Sequence, residues 1–288
     1  MSVPQGKVPI FESVRGAFAE TRSHAVALAP AALAAAVAVA LLNFAAINTG
    51  LAVNPLGQIL LSILSGLGMA LFIAPAIRAS LGEPATVSAQ SVALSLKLFA
   101  AMVVIGFFLT IVFLVAAIPG LIVVGMTFAP FQSELEAANG DVQASMELLQ
   151  KVFSANAGPL LAVILIYVAV WMALTSRLYL CAPASVAENR VATFETWRWT
   201  QGNLLRISAA RLLTLIPAAL ATTLIQAAVT SLLGVSASDP AKVAAIAAAD
   251  PVRFAIAGFI TSFASLVIYG GCEAALSTYL YRGLKPPT

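Results

Sequence analysis

The sequence predicts an all-α, polytopic membrane protein: six transmembrane helices arranged as three hairpins, each hairpin preceded by a short amphipathic interfacial helix. Apolar residues make up 61% of the chain and charged ones 9%, with a mean hydropathy of +0.98, whereas soluble domains carry about 25% charged residues. Six apolar runs are each long enough to cross a hydrocarbon core of about 30 Å, which takes about 20 helical residues. Basic residues fall mostly on one side of the resulting topology. With connections this short, residues 1–288 read as a single membrane domain.

The first run, Ala25 to Ile47, follows a stretch of mixed charge and is longer than the roughly 7–15-residue apolar core of a secretory signal, so no signal peptide is expected. Asn48-Thr49-Gly50 through Asn54-Pro55 reads as a turn into the second run, Leu56 to Ile77. The third, Leu98 to Phe128, contains Pro119-Gly120, where a missing N–H and a flexible glycine predict a kink or a break. Between it and the fourth run, Pro159 to Ser176, lie Glu134, Glu136, Asp141 and Glu147 against Lys151. Val142, Met146, Leu149 and Phe153 recur there at helical spacing. They predict a helix on the outer membrane face with Asp141 near its N-terminus, or alternatively a docking surface for a periplasmic partner. The fifth run is Leu212 to Gly234. Ser238-Asp239-Pro240 and Asp250-Pro251 are cap and first-turn signals, the former for a short alanine-rich helix and the latter for the sixth run, Phe254 to Tyr281, which holds one charge, Glu273.

Orientation follows from the basic residues. Lys7, Arg15, Arg22, Arg78, Lys97, Arg177, Arg190, Arg198, Arg206, Arg211, Arg282 and Lys285, 12 of the 15, lie on the side of the termini. Lys151, Lys242 and Arg253 lie on the other. An excess of lysine and arginine marks the cytoplasmic side, so the expected location is a bacterial inner membrane with both termini in the cytoplasm. The charges are spread over four membrane-flanking segments, which favours anionic lipid headgroups as partners and argues against nucleic acid.

An internal repeat is also legible. Phe11-Glu12-Ser13-Val14-Arg15 matches Phe194-Glu195-Thr196-Trp197-Arg198, and Val87-Ser88-Ala89-Gln90-Ser91 stands at the corresponding place before the third run. Ala74-Pro75 pairs with Ala182-Pro183, and Thr175-Ser176-Arg177-Leu178-Tyr179 with Ser277-Thr278-Tyr279-Leu280-Tyr281. These matches suggest tandem units over 10–78, 86–182 and 193–282.

The stretch with the most positional information runs from Thr193 to Arg211. Phe194, Trp197 and Leu204 recur at near-helical spacing, with Glu195, Arg198 and Arg206 elsewhere, as in a short amphipathic helix lying in the bilayer interface. Gly202 is placed to stop it, and Asn203 to cap a helix starting at Leu204. The run Trp199-Thr200-Gln201-Gly202-Asn203-Leu204-Leu205-Arg206 resembles the signature of a bacterial integral-membrane family, the glycerophosphoryl diester phosphodiesterase membrane-domain-like proteins, and is similar to YciC-type proteins. The resemblance implies a six-span membrane portion that in some relatives is fused to a phosphodiesterase barrel. The Gly-Asn pair is missing from the first and second copies of the repeat.

Residues for catalysis are sparse. A barrel phosphodiesterase needs about 250 further residues and a metal or acid-base cluster, for which this chain has no room. Its one histidine, His24, stands at the mouth of the first span without a nucleophile elbow or carboxylate partner nearby in sequence. Cys181 and Cys272 lack metal or redox spacing and read as two buried thiols. Neither cofactor nor metal is expected.

Glu273 is the exception to this blandness. An acid deep in a span usually faces the bundle interior and finds a partner. Depth matching selects Arg211, as a structural pair or, alternatively, as part of a transport site. Thr222, Gln226 and Thr230 share one face of the fifth span, and Gly258, Ser262, Ser265 and Tyr269 one face of the sixth. Such stripes predict that the two helices pack together, or else that they line a pore. The function expected is that of a non-enzymatic inner-membrane protein acting through lipid or a partner protein, with a homo-oligomer possible. The alternative is a small transporter or channel subunit with its site near Arg211 and Glu273.

Overall fold

A computed structural model describes residues 6–49, 51, 54–84, 88–138, 142–235 and 240–286. The readings at Gly50, Val87, Asp141, Ser238 and Asp239 fall outside those residues, as do those on the side chains of Val142 and Lys242. Among the described residues the chain is all-α, with six helical spans long and apolar enough to cross a membrane. In order the α-helices are α1 (Ile10–Asn48), α2 (Pro55–Ser80), α3 (Ala89–Phe128), α4 (Gln132–Ala137), α5 (Val142–Ala155), α6 (Ala157–Arg177), α7 (Cys181–Ala187), α8 (Thr196–Trp199), α9 (Leu204–Leu232), α10 (Pro240–Ala249), α11 (Pro251–Ser265) and α12 (Gly271–Leu284). A five-residue π-helical turn, Leu266–Gly270, joins α11 to α12 within the sixth span. The chain is therefore an integral membrane protein.

One detail of the expected architecture is corrected. Among the described residues no separate interfacial helix precedes the first or the third span: α1 runs unbroken for 39 residues and α3 for 40. At 1.5 Å per residue each is close to 60 Å long, about twice the hydrocarbon thickness, so approach and span are one rod. Polar residues alone do not end a helix, and Gly16, the one glycine between Ile10 and Ala25, is carried inside α1, where a helical glycine costs only about 1 kcal/mol.

Two compact units result, Met1–Val103 with Ser176–Thr288, and Val104–Thr175. In the first, α1 packs against α2, α9, α11 and α12. Its buried face is Ala31, Ala32, Ala35 and Ala36, meeting Ala70, Phe72, Ile73, Ala74 and Ile77 of α2. Small residues let helix backbones approach closely, and in lipid that packing has to replace the hydrophobic effect as the force holding helices together. A second core joins Val8, Leu180, Ile207, Leu276 and Leu280, which ties the chain's start, middle and end together. Between α2 and α3, Gly82 adopts φ +86° while the Glu83 amide donates to Arg78 O at 2.9 Å, the closing bond of a helix C-cap. Arg78 holds this turn with Nε to Glu83 at 2.8 Å and Nη1 to Ser91 Oγ at 3.2 Å.

In the second unit α3 passes through Pro119 without the expected break. A proline loosens the preceding turn, and membrane helices tolerate it where a neighbour takes up the freed carbonyls. Here the Tyr167 hydroxyl of α6 donates to Ala116 O at 2.8 Å. Gly120 makes room for that ring, since a Cβ there would stand 2.9 Å from Tyr167 Cε2. The helix predicted after the third span forms as α5, but its inner face is Leu148 and Val152, packed with Leu160 and Phe128. Met146, Leu149 and Phe153 are exposed on another face.

Candidate functional site

Ahead of α9, the helical part of the Thr193–Arg211 stretch is one turn, α8, and the buried stripe is Thr196 (0% exposed), Thr200 (0%) and Asn203 (5%). Phe194 is exposed and Trp197 half-buried. The polar stripe turns inward because the chain reverses here, and the reversal leaves carbonyls that only a donor can satisfy. Thr200 Oγ1 donates to Arg177 O at 3.2 Å, and Thr196 Oγ1 donates to Thr193 O at 3.1 Å and meets Cys181 Sγ at 2.9 Å. The two tryptophans serve as lids: Arg177 lies 5.8 Å from the Trp197 ring centroid, and Trp199 lies 6.0 Å from Tyr281.

Gly202 does stop the turn, at φ +82°, and α9 does begin at Leu204. Asn203 occupies the cap position yet makes no side-chain cap bond. Its Oδ1 instead accepts from the Val8 amide at 3.0 Å, and its Nδ2 donates to Gly6 O at 2.8 Å. Arg206 Nη1 adds a bond to Val8 O at 3.2 Å. The Gly-Asn motif is thus a dock that grips the N-terminal segment as a neighbouring strand would. The contact spans 195 residues, a separation at which no local pattern in the sequence carries a signal.

Arg211 and Glu273 lie on α9 and α12, which pack together, and the structure brings them into one cluster. Arg211 Nη1 donates to Ser176 Oγ at 3.0 Å, Ser176 meets Ser208 at 2.9 Å, and the guanidinium sits 4.6 Å from the Tyr179 ring centroid. Arg78–Glu83, Lys151–Glu134, Arg190–Glu188, Arg190–Glu195 and Lys285–Glu188 are ion pairs among the described residues. The positive charge of Arg211 lies near the Glu273 carboxylate. Tyr179 also faces the carboxylate, but out of bonding alignment: its hydroxyl and Glu273 Oε2 are both buried without a hydrogen bond, as are the hydroxyls of Thr214 and Thr278.

Glu273 sits directly after the π-turn, and the two glycines at the junction explain its position. A Cβ on Gly270 would stand 3.0 Å from Phe72 Cε1, and one on Gly271 only 2.8 Å from Thr21 Cγ2. The sixth span presses on α1 and α2 there as closely as backbone allows. The Gly270-Gly271 pair was the signal for this packing, and Ser176, Tyr179 and Ser208 had none. Cys181 and Cys272 are free and buried, and Cys272 Sγ accepts from Thr21 Oγ1 at 3.7 Å.

A second polar cluster, at the end of the molecule that carries the C-terminus, was not anticipated. Arg190 bridges Glu188 and Glu195, and Glu188 also takes Lys285 at 3.2 Å and the Tyr281 hydroxyl at 3.3 Å. Burial pushes the Glu188 carboxyl up, but hydrogen bonds from Arg190 and Lys285 outweigh it and hold the group below the usual carboxylate range. Asn189, at φ 51°, turns the loop so that its carbonyl and side chain both receive Lys97 Nζ, at 2.9 and 2.8 Å. Compared with known proteins, the chain matches no family model, no curated protein and no solved structure.

Proposed function

We propose that this is a non-enzymatic membrane protein that acts by holding anionic lipid headgroups at the end of the bundle that carries its termini. In this reading the membrane is a bacterial inner membrane and the termini are cytoplasmic. The observation that supports it is a set of charges without counter-charges. Lys7, Arg15, Arg22 and Arg198 are exposed and enter none of the ion pairs among the described residues. Arg15 and Arg22, two turns apart on α1, share a face. Glu188 and Glu195 are committed to Arg190 and Glu83 to Arg78, while Glu12 and Glu20, on α1 itself, enter none of these ion pairs either. Headgroup phosphates are the natural counter-ions, each basic residue near an anionic surface contributing about 1 kcal/mol.

Reconstitution with brominated lipids tests this through tryptophan quenching. Brominated anionic lipid should quench more than its zwitterionic counterpart. The preference should shrink as salt screens it and fall in an Arg15→Gln/Arg22→Gln variant. Equal quenching by both lipids sinks the reading. Cysteine labelling from either side of the membrane, at residues 190 and 134, tests the orientation, which fails if position 190 labels from the periplasm.

A second reading, transport through the Arg211–Glu273 cluster, is favoured by one observation. A carboxylate oxygen and a tyrosine hydroxyl are buried without hydrogen bonds beside a π-turn, and such turns are frequent at functional sites. A Glu273→Gln protein that stays folded but loses flux in proteoliposomes would establish it, whereas unchanged flux would remove it.

A further inference from the structure

A cavity of about 300 Å³ lies in the first unit, away from the Arg211 cluster, where α1, α2, α9 and α11 meet. Its polar lining comes from three spans: Ser65 of α2, Gln226 of α9, and Thr261, Ser262 and Ser265 of α11. The helices touch, as their matching stripes predicted, yet Gln226, Ser262 and Ser265 face this shared space, with Met69 beside them.

Depth along the helices places the cavity inside the bilayer. Ser65 comes ten residues after Pro55, Ser262 eleven after Pro251, and Gln226 six before Leu232, so they sit about 15, 16 and 9 Å from the same end of the bundle. Thr261 donates to Ala257 O at 2.9 Å and Gly258 O at 3.1 Å. The side chains of Ser65, Gln226, Ser262 and Ser265 make no hydrogen bond among the described residues. Gln226 is exposed and Ser65, Ser262 and Ser265 are half-buried, so the crevice is open, and an occupant that hydrogen-bonds these groups is favoured over hydrocarbon, where they go unsatisfied at a high cost.

The lining also says what kind of molecule fits. It holds no charged side chain, so an ion would shed its hydration without compensation. A carboxamide supplies donors and an acceptor, and three serine hydroxyls supply both. The volume equals that of about ten waters at roughly 30 Å³ each. We infer that the crevice formed by Ser65, Gln226, Thr261, Ser262 and Ser265 is a hydrated intramembrane site for a small uncharged solute bearing hydroxyl or amide groups. It is independent of the headgroup reading, which concerns the exposed basic residues.

Gln226→Cys and Ser262→Cys, in proteoliposomes with N-ethylmaleimide, provide the test. The reagent attacks only the thiolate, which forms only where water reaches the sulfur. Leu224→Cys, at a position 71% exposed on α9, is the lipid-facing control, and wild-type protein with its two buried thiols sets the background. Both cavity variants should react at least tenfold faster than the Leu224 control. Molar glycerol or urea should slow them severalfold while leaving a free thiol in solution unaffected. Ser262→Cys is close to isosteric, so its folding is not at stake. Reaction as slow as at Leu224, or fast reaction that neither solute slows, overturns the inference.

Discussion

Asn203→Asp separates two accounts of one residue. If Asn203 worked as a helix cap, aspartate would be an equal or better substitute, because its oxygen accepts as well and its charge favours a helix N-terminus. The structure gives it a different job, since Nδ2 donates to Gly6 O at 2.8 Å while Oδ1 accepts from Val8 N at 3.0 Å. Aspartate keeps the second bond and loses the first. It also turns a carboxylate toward a carbonyl in a place where the wild-type residue is only 5% exposed. A buried group deprived of its partner costs about 1–3 kcal/mol. The loss cannot exceed the docking free energy of residues 6–8, because once that segment lets go its polar groups are hydrated. Expressed as local opening, 1–3 kcal/mol is roughly a 5- to 140-fold loss of protection. Hydrogen exchange at the Val8 amide, read by mass spectrometry of the N-terminal peptide, should show that loss in Asn203→Asp and a larger one in Asn203→Ala. Amides of α9 should keep their wild-type rates in both. If Asn203→Asp exchanges like wild type at Val8 while Asn203→Ala loosens the first turn of α9, the capping account is right and the dock is not.

Three further outcomes are expected. Glu273→Gln should be mild and Arg211→Ala harsher, since the latter leaves a buried carboxylate without its nearby positive charge. A double-mutant cycle on unfolding in detergent should give a coupling of about 0.5–3 kcal/mol for two residues of one cluster, and strict additivity would show that they act independently. Gly271→Ala places a methyl 2.8 Å from Thr21 Cγ2 and should destabilise by about 1–3 kcal/mol. Thr21→Ser in the same protein should restore most of that, and a neutral Gly271→Ala would show that the contact yields. Glu188, held below its ordinary pKa of 4.5 by Arg190 and Lys285, contributes stability that is present above pH 4.5 and is lost as pH falls through its lower folded value. The fluorescence of Trp199, 6.0 Å from Tyr281, should therefore hold steady from pH 7 to 5 and change only as pH falls below the ordinary carboxylate value of 4.5. Glu188→Gln should abolish that step, and a step near pH 6 would implicate a different group.

Class and span positions were legible without coordinates because they follow from one-dimensional physics. A backbone in lipid must satisfy itself, so about 20 apolar residues mean a helix, and the ends of α2, α9 and α11 follow from local stereochemistry at Asn54-Pro55, Gly202 and Asp250-Pro251. Glu273 was recognisable as an oddity for the same reason, by its depth in a run of apolar neighbours. Local rules gave out where satisfaction comes from a distant part of the chain. Pro119 was expected to kink or break its helix; the helix is unbroken, and the hydroxyl that bonds Ala116 O in the preceding turn belongs to the distant Tyr167. The buried polar stripe of the 193–203 stretch carried no signal in the sequence because the carbonyls that draw Thr196 and Thr200 inward exist only once the chain has reversed. Asn203 carries one and the same amide in either role, and whether it caps a helix or grips residue 8 depends on where the N-terminus arrives, 195 residues away in sequence. Sequence alone determined that this protein lives in a membrane as six helices; which polar groups meet inside it was decided by tertiary packing, because a hydrogen bond depends on ångström-scale placement that periodicity does not encode.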